Sequence, residues 1–420
     1  MKIAQVYPFL HICGVDDEPS DAMSVLIGEI SGRLARKDAV VVYKQSETGR
    51  DHEFSRDGVL YRALDSRFDA FMHRRRLLRR TIRKTPIPYV VSVFENMGLA
   101  RRIADDLARG SFDVIHVHSC ANFLPAIRKA NPRALLILHM HDNALVDFDA
   151  RYYADSLEKA DFVLGCSAHL AHRLAEKYPG IADRISALPN AVDEGLAAWR
   201  AGSARHPGRI LYVGRISPEK GIHVLVDAFR QVAAARPDAV LELVGPVRIP
   251  PPLFVDPMQS NPLLDDVRRF TRKPPEVYRD HLRSLAEPFG ERVVFRGRVP
   301  HARIGEFYDG AEVFAFPSLW DEPFGIPVVE AALSGLPVVA TKGGAFPEIV
   351  ADAETGLLVP PGDPSALAAA LLELLEDSGL RQRFGQAGRK LAQDRFTWRT
   401  RIEDLRALYA TGLKRASKAA

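Results

Sequence analysis

Short apolar runs rich in β-branched residues alternate with segments of helical periodicity along the whole chain. In the first half, the pattern predicts strands at 3–7, 40–43, 114–118, 135–139 and 162–166. After residue 205, it predicts a second set at 210–213, 239–244, 293–295, 313–316, 337–340 and 357–359. Strands that alternate with helices are typical of βαβ units and parallel sheets. The sequence therefore predicts an α/β fold with two doubly wound, Rossmann-like domains.

The length agrees with two domains, because 420 residues are more than one hydrophobic core usually supports. We expect a first domain at 1–190 and a second at 205–395, joined by a linker within 185–209, where proline, asparagine and glycine interrupt the periodicity. Residues 246–288 are rich in proline and predict an insertion in the second domain, a surface loop with one helix near 276–286. This insertion is either a tolerated surface feature or a lid that shapes a substrate site.

The composition excludes several classes of protein. Hydrophobic residues make up 47% and charged residues 26% of the chain, which fits a globular protein and argues against disorder. The net charge of +4 is too small for the positive field of a nucleic-acid-binding protein, so we expect no nucleic-acid partner. The three cysteines lack metal-site spacing and fit a reducing compartment. With no signal-peptide pattern and no apolar run of ~18 residues, we expect a cytoplasmic protein.

Two carboxylates, Glu322 and Glu330, flank the start of a predicted helix after the strand at 313–316. Glu322 is expected in the loop before the helix and Glu330 about two turns inside it. Their separation of eight residues returns them to roughly the same helix face, so both could reach one ligand. Parallel α/β sheets bind ligands outside the carboxyl ends of their strands. The alternative is a solvated loop residue and a surface or capping acid.

A second constellation combines two cations with glycine between the strand at 210–213 and the next helix. Gly214, Arg215 and Lys220 lie in this loop. Arginine and lysine form strong charge-assisted hydrogen bonds to phosphate oxygens, and the following helix adds its positive dipole end. A diphosphate held in this way needs no metal ion. The alternative is ordinary surface charge.

Gly344, after the strand at 337–340, indicates either close backbone approach to a ligand or a tight turn.

A pair of histidines follows the strand at 135–139. Either His139 or His141 could line a ligand site, although an i, i+2 pair could also bind metal or be structural. The neighbouring His116 and His118, in the strand at 114–118, are expected to be core residues.

A basic segment at 74–84 stands out from the nearly neutral chain. Apolar residues recur at helical spacing beside its cations, so the segment could lie on an anionic membrane surface. A solvated helix face or a nucleic-acid contact are the alternatives. The cations of this segment are Arg74, Arg75, Arg76, Arg79, Arg80, Arg83 and Lys84.

The stretch that contains the two carboxylates resembles the signature of the retaining glycosyltransferases of family 4. It reads PSLWDEPFGIPVVEAALSGLPVVATKGGAFPEIV, with Glu322 and Glu330 as the E-x7-E element. Further segments resemble successive blocks of that family in the right order; they read FVLGCSAHLAHRL, ISALPNAVD, ILYVGRISPEKGIHVLVDAF, LELVG, VVFRGRVP and GLLVPPGDPSALAAALLELLED. The resemblance extends from Asp113 to the end of the chain.

The resemblance implies the GT-B fold, in which two Rossmann-like domains face each other across an active-site cleft and a final helix, here 396–412, packs back on the first domain. It also implies a nucleotide-sugar donor, UDP- or GDP-linked, and no cofactor or metal. The anomeric configuration would be retained by same-face attack, with the leaving phosphate helping to deprotonate the acceptor.

The family's site residues can be placed on this sequence by motif. Arg215 and Lys220 would hold the donor diphosphate and stabilise its charge as it leaves. Glu330 would bind the ribose hydroxyls. The remaining donor contacts would come from Glu322, Gly214, Gly344 and the backbone of Phe324, Gly325 and Ile326, and His141 would border the transferred sugar.

The first strand-to-helix loop departs from the family pattern. The family generally has consecutive glycines there, whereas this loop keeps only Gly14. Its carboxylates would repel an anionic acceptor; they are Asp16, Asp17, Glu18 and Asp21.

These features predict a glycosyltransferase that extends a lipid-linked or cell-surface glycan, at the inner face of the cell membrane if the basic segment binds lipid. A soluble transferase for small metabolites, a phosphorylase of the same fold and a non-catalytic nucleotide-sugar-binding subunit remain as alternatives.

Overall fold

The chain forms two compact α/β units. The computed structural model describes residues 1–9, 22–65, 69, 96–195, 205–250 and 261–419. Unit 1 comprises Met1–Pro189 and Arg401–Ala420, and unit 2 comprises Asn190–Thr400. The basic segment at 74–84 and the acidic first loop lie outside the described residues.

Unit 1 is built on a sheet that, in the described part of the chain, has eight strands in the order β3-β4-β2-β1-β5-β6-β7-β8. The strands are β1 (Lys2–Val6), β2 (Ala39–Gln45), β3 (His52–Arg56), β4 (Val59–Leu64), β5 (Val114–His118), β6 (Leu135–Met140), β7 (Phe162–Gly165) and β8 (Ile185–Ala187). Neighbouring strands pair in parallel, except that β3 pairs antiparallel with β4. The chain leaves β1 towards β2 on one side and later returns on the other side as β5, which makes β1/β5 a topological switch point.

Helices connect these strands. Their apolar faces pack on the sheet, which is buried on both sides. They are α1 (Ala22–Ala35), α2 (Met97–Gly110), α3 (Leu124–Ala130), α4 (Ala144–Asp147), α5 (Ala154–Leu157) and α6 (Ala168–Lys177). The strand β8 lies where the sequence predicted the start of the linker. That prediction is wrong for Ile185–Ala187, since these residues pair in parallel with β7.

Unit 2 has six described strands, all parallel, in the order β11-β10-β9-β12-β13-β14. They are β9 (Arg209–Val213), β10 (Val240–Val244), β11 (Val293–Gly297), β12 (Val313–Phe316), β13 (Val338–Thr341) and β14 (Gly356–Val359). Its helices are α7 (Ile222–Ala235), α8 (Asp265–Thr271), α9 (Pro275–Ala286), α10 (Ile304–Gly310), α11 (Ile326–Leu333), α12 (Phe346–Ile349), α13 (Pro364–Glu376) and α14 (Ser378–Arg395). The switch point of this sheet lies between β9 and β12.

The proline-rich insertion is more structured than the sequence predicted. The expected helix near 276–286 is α9, but a second helix, α8, precedes it. Phe270 of α8 stacks edge-to-face on the fully buried Tyr278 of α9, with 4.9 Å between ring centroids, and the Tyr278 hydroxyl is bonded to His223 of α7. The prediction of a surface loop is therefore wrong for residues 261–271, because α8 forms there and buries Phe270, whereas α9 confirms the predicted helix.

The final helix, α15 (Trp398–Ala419), is longer than the predicted 396–412. From Arg401 onward it belongs to unit 1, where Tyr409 is fully buried against His116. Among the described helices, none is both long enough and apolar enough to cross a membrane.

Candidate functional site

Two loops meet at the switch point of unit 2. One follows β9 and the other follows β12, and their contact is made by backbone. Gly221 has a φ of +69°, and a Cβ built on it would lie 2.0 Å from the carbonyl oxygen of Pro317. The amide of Leu319 donates to the carbonyl oxygen of Glu219 at 2.9 Å. Only glycine fits this approach, so the first loop is held against the second at the carboxyl ends of both strands.

Lys220 and Glu322 form an ion pair between these loops. The Lys220 ammonium contacts Oε1 of Glu322, and the two side chains are only 12% and 5% exposed. The same oxygen accepts hydrogen bonds from Ser318 Oγ at 2.7 Å and from Trp320 Nε1 at 2.8 Å. The Lys220 ammonium also lies 4.8 Å from the centre of the Trp320 ring. All three donors converge on Oε1, so among the described residues Oε2 is the oxygen left for a ligand.

The electrostatic environment keeps Glu322 ionised. Burial by itself raises the pKa of this carboxyl, but the Lys220 charge and the donors Ser318 and Trp320 outweigh burial and lower the pKa below its ordinary value. The Lys220 ammonium is thus already paired with a carboxylate before any ligand binds.

Arg215 is held in the same manner by an acid that the sequence analysis did not single out. Its Nη2 donates to Oε1 of Glu219 at 2.6 Å, and its Nε donates to Ser217 Oγ at 3.2 Å. Ser217 Oγ also donates to that Glu219 oxygen at 2.6 Å. Burial alone lowers the pKa of Arg215, but the charge and hydrogen bond of Glu219 raise it. Glu219 is fully buried, and within the described part of the chain its Oε2 has no hydrogen-bond partner.

Glu330 lies in a separate cluster. Because α11 begins at Ile326, Glu330 is the fifth residue of the helix, little more than one turn inside it and not two. Its Oε1 is bonded to His301 Nε2 at 2.9 Å, and its Oε2 accepts from the Tyr308 hydroxyl at 2.9 Å. Burial and the Glu330 charge raise the pKa of Tyr308 well above its ordinary value, so the hydroxyl remains a donor.

The two carboxylates of the E-x7-E element thus have different partners. The described contacts of Glu322 are with the β9 loop and the β12 loop, whereas those of Glu330 are with the segment after β11 and with α10. The two carboxylates share no partner among these contacts. That both reach one ligand stays a prediction.

The backbone around α11 explains the glycines of the motif. Gly325 precedes the helix with a φ of +108°, and Phe324 is buried edge-to-face on Phe396 with 5.6 Å between ring centroids. Gly344 has a φ of +57°, and a Cβ there would lie 2.3 Å from both N and O of Glu322. Gly344 therefore makes a tight turn that packs on the backbone carrying the Glu322 carboxylate. This contact accounts for the glycine without any ligand.

Gly214 has a comparable structural role at the end of β9. Its φ is +150°, a Cβ there would lie 2.8 Å from the Tyr212 hydroxyl, and its amide donates to the carbonyl oxygen of Val244 at 2.9 Å.

The histidines of unit 1 form a buried cluster beside its own switch point. His116 and His118 are fully buried, which confirms the prediction that they are core residues. His139 is also buried, with its Nε2 bonded to the carbonyl oxygen of Leu188 at 3.1 Å, and burial lowers its pKa to about 4. His141 is 9% exposed, and its Nε2 is bonded to His118 Nδ1 at 3.0 Å.

Three of these histidines, His116, His118 and His139, place ligand atoms within 4.8 Å of one another. Both nitrogens of His118 are already bonded, one to His141 and the other to Gln5 Oε1 at 2.7 Å. In the described residues, His116 Nε2 and His139 Nδ1 are buried without hydrogen-bond partners. The cluster therefore offers a metal ion two uncommitted nitrogens, fewer than the three or four protein ligands of a zinc site.

Several residues of these clusters were missed by the sequence analysis. Local motifs could have suggested only those close to a predicted residue, such as the donors that precede Glu322 by two and four positions. The missed residues are Gln5, Ser217, Glu219, His301, Tyr308, Ser318, Trp320 and Tyr409.

Comparisons with known proteins agree with this architecture. Residues 23–196 match the model for glycosyltransferase family 4, and residues 198–391 match the model for glycosyl transferases group 1. A phosphatidyl-myo-inositol mannosyltransferase of Mycobacterium leprae is 29% identical over 349 residues, which are 80% of this chain and 84% of that protein.

Two solved structures show the same fold. Sucrose-phosphate synthase from Thermosynechococcus elongatus has a TM-score of 0.74 at 22% identity and covers 98% of each chain. HepE of Anabaena, in complex with UDP and glucose, has a TM-score of 0.68 at 19% identity and covers 98% of this chain and 99% of its own. The fold and its switch-point sites thus define a GT-B protein with two Rossmann-like domains. The chain belongs to the glycosyltransferases of group 1 and family 4, as the resemblance predicted.

Proposed function

We propose that this glycosyltransferase moves a sugar from a UDP- or GDP-linked donor to a glycan or lipid-linked acceptor of the cell surface, with retention of configuration and without a metal ion. The observation that carries the proposal is the meeting of Arg215, Lys220 and Glu322 on adjoining loops at the β9/β12 switch point. Two cations and a carboxylate whose described hydrogen bonds all fall on Oε1 match the diphosphate and the sugar of such a donor.

The two cations would act on the leaving group. When the bond between the anomeric carbon and the phosphate oxygen breaks, negative charge develops on the nucleoside diphosphate. Arg215 and Lys220 would stabilise it, and loss of one such preorganised donor typically costs about 10²–10³ in rate. Their acids, Glu219 and Glu322, hold both cations in place before the donor arrives. The leaving phosphate would help to deprotonate the acceptor hydroxyl on the same face of the sugar.

Glu330 would bind the ribose. Two hydroxyl groups donating to a carboxylate contribute about 1.5–3 kcal/mol each before desolvation costs. His301 and Tyr308 already fix the plane of this carboxylate. Oε2 of Glu322 and the first-turn backbone of α11 would contact the sugar and the phosphate.

The comparisons support a nucleotide-sugar donor and a lipid-linked acceptor only as classes of substrate. HepE was solved with UDP and glucose bound, which favours a uridine donor, and the mannosyltransferase relative is named for phosphatidyl-myo-inositol, which favours a lipid-linked acceptor. A GDP-linked donor remains part of the proposal. We place the reaction at the cytoplasmic face of the membrane, with the basic segment at 74–84 binding anionic lipid.

The donor can be tested by nucleotide release from UDP-, GDP- and ADP-sugars, with magnesium and with a chelator. We expect one donor to be turned over equally in both conditions, and Lys220→Ala and Glu330→Ala to suppress turnover. Lys390→Ala is the matched control, because Lys390 is 82% exposed and its Nζ lies 4.0 Å from the exposed Asp394 carboxylate. Loss of activity in the chelator would overturn metal independence, and an inverted product would overturn retention.

The membrane contact has a separate test. Pelleting with anionic vesicles should be strong at low salt and weak at high salt, because each cation near the surface contributes about 1 kcal/mol. No pelleting at low salt would remove this part of the proposal.

A further inference from the structure

The Lys220 ammonium lies over two aromatic rings beside its ion pair with Glu322. Its Nζ is 4.8 Å from the centre of the Trp320 ring and 5.7 Å from the centre of the Phe316 ring. Phe316 is buried at the end of β12, and Trp320 is half-buried in the loop that follows. A cation within about 6 Å of a ring centre is attracted to the face of that ring. The ammonium is therefore held by aromatic rings as well as by a carboxylate.

The rings hold the ammonium without using up its protons. A lysine ammonium has three N–H donors, and among the described residues the only hydrogen-bond acceptor of Lys220 Nζ is Oε1 of Glu322. The other donors remain for a further acceptor, although the Lys220 side chain is only 12% exposed. Buried donors are normally satisfied, because an unpaired one loses the free energy of its hydration. The arrangement therefore favours an anionic ligand with oxygen atoms at this point.

Trp320 contacts both members of the ion pair. The Lys220 ammonium lies over its ring, and its Nε1 donates to Oε1 of Glu322 at 2.8 Å. An indole N–H can only donate, so the direction of this hydrogen bond is fixed. The bond sets the position of the ring relative to the carboxylate, and the ring in turn sets the position of the ammonium.

We propose that Trp320 is a positioning residue for Lys220 and holds its ammonium against Glu322, so that the remaining N–H groups face the diphosphate of the nucleotide sugar. The ring acts by attraction and adds no oxygen that would compete with those of the phosphates. Trp320 thus acts on the charge of the leaving group only through Lys220. The inference rests on the proposed function for the identity of the ligand, whereas the contacts of Trp320 do not depend on it.

The first test compares the binding of nucleoside diphosphates and monophosphates to the full-length protein by calorimetry. UMP and GMP lack the second phosphate of UDP and GDP, so a displaced Lys220 should affect them less. We expect Trp320→Leu, which removes both the ring and the indole donor, to weaken the diphosphate by about tenfold and the monophosphate by less than about twofold. Trp320→Phe keeps a ring and should weaken the diphosphate by only about threefold. An unchanged ratio of the two affinities in Trp320→Leu would overturn the proposal.

Phe289→Leu is the matched control, because it also removes a buried ring from unit 2. Phe289 is 8% exposed and stacks edge-to-face on Phe229, with 5.3 Å between ring centroids. This variant should lower stability and leave the ratio of diphosphate to monophosphate affinity unchanged. If Trp320→Leu gives the same result as Phe289→Leu, Trp320 is merely structural and the proposal fails.

The second test asks whether Trp320 acts through Lys220. In the Lys220→Met background, Trp320→Leu should not change the affinity ratio further, because the cation that the ring holds is already absent. A further fall of similar size would mean that the ring contacts the nucleotide itself, which contradicts a positioning role.

The third test needs no nucleotide. Labelling of lysines with an amine-reactive reagent, followed by peptide mass spectrometry, should show Lys220 reacting at least about threefold faster in Trp320→Leu than in the native protein, because the ring no longer holds the ammonium. Lys390, which is 82% exposed, is the internal control and should react equally in both. An unchanged Lys220 rate would overturn the proposal. If the rate rises but neither UDP nor GDP binds the native protein, the proposed function fails and the positioning of Lys220 by Trp320 stands.

Discussion

The Lys220–Glu322 ion pair should make unit 2 sensitive to loss of one partner. Lys220→Met removes the ammonium but keeps most of the stem, leaving an almost fully buried carboxylate without a cation. Breaking a buried pair on one side typically costs 3–5 kcal/mol. Here Ser318 and Trp320 continue to donate to Oε1, so we expect a loss of about 2–3 kcal/mol in the free energy of unfolding.

The assay is a double-mutant cycle by urea unfolding at neutral pH, with Lys220→Met, Glu322→Gln and the double variant. Tryptophan fluorescence can follow it, because Trp320 contacts Glu322. The double variant should recover about 2 kcal/mol relative to the sum of the single variants, since it leaves no unpaired buried charge.

The pH dependence has a definite sign. In the native protein the lowered pKa of Glu322 contributes stability above the ordinary carboxyl range, and this stability is lost as the pH falls through the folded-state pKa. Lys220→Met removes the Lys220 charge and hydrogen bond, so we expect the pKa of Glu322 to be higher in the variant than in the native protein. The difference between native protein and variant should therefore shrink on acidification.

Lys390→Met is the control and should change stability by less than about 0.5 kcal/mol. The reasoning is refuted if Lys220→Met costs no more than this control, or if the cycle shows no coupling.

Three further predictions address other parts of the fold. Burial lowers the pKa of His139 from 6.5 to about 4, so the free energy of unfolding should decrease as the pH is lowered from 6.5 to about 4. In His139→Gln, the slope of the unfolding free energy against pH should be smaller by about 1.4 kcal/mol per pH unit, as measured by urea unfolding. Equal slopes would contradict the assignment. Gly344→Ala should destabilise the protein by about 1–3 kcal/mol more than Gly49→Ala. Both glycines have a positive φ, but of the two only Gly344 has atoms within 4 Å of a new Cβ. Equal shifts of the thermal unfolding midpoint would contradict the clash with Glu322. His301→Ala should raise the donor KM by about tenfold with a smaller effect on kcat, because Glu330 loses one orienting partner. An unchanged KM would show that His301 does not contribute to donor binding.

The central strands were predictable because they are buried on both faces and read as continuous apolar runs. The strands β3 and β4 were missed. Positions in β3 are half-buried or exposed and include the polar His52 and Glu53, and β4 alternates buried with half-buried positions. The short strand β8 was not predicted, because Pro189 and Asn190 follow it closely and were interpreted as the start of the linker.

The candidate site was predictable only as far as local spacing reaches. Arg215, Lys220 and Glu322 follow predicted strands, and the resemblance assigns them roles. Some of their partners are close in sequence, such as Glu219 for Arg215, but others are distant. Lys220 and Glu322 are 102 residues apart, and in unit 1 the bonded pair Gln5 and Tyr409 are 404 residues apart. No periodic pattern carries such a pairing, since it depends on which strands become neighbours.

The most direct test of the donor site is calorimetric binding of UDP and GDP to the native protein in the presence of a chelator. We predict that one nucleoside diphosphate binds, and that Lys220→Met and Glu330→Gln each weaken it by at least about tenfold, the loss of one charged hydrogen bond, while Lys390→Met does not. Circular dichroism confirms that each variant is folded at the temperature used. Binding that is equally strong in all variants, or no binding of either nucleotide, would contradict the assignment of the β9/β12 switch point as the donor site.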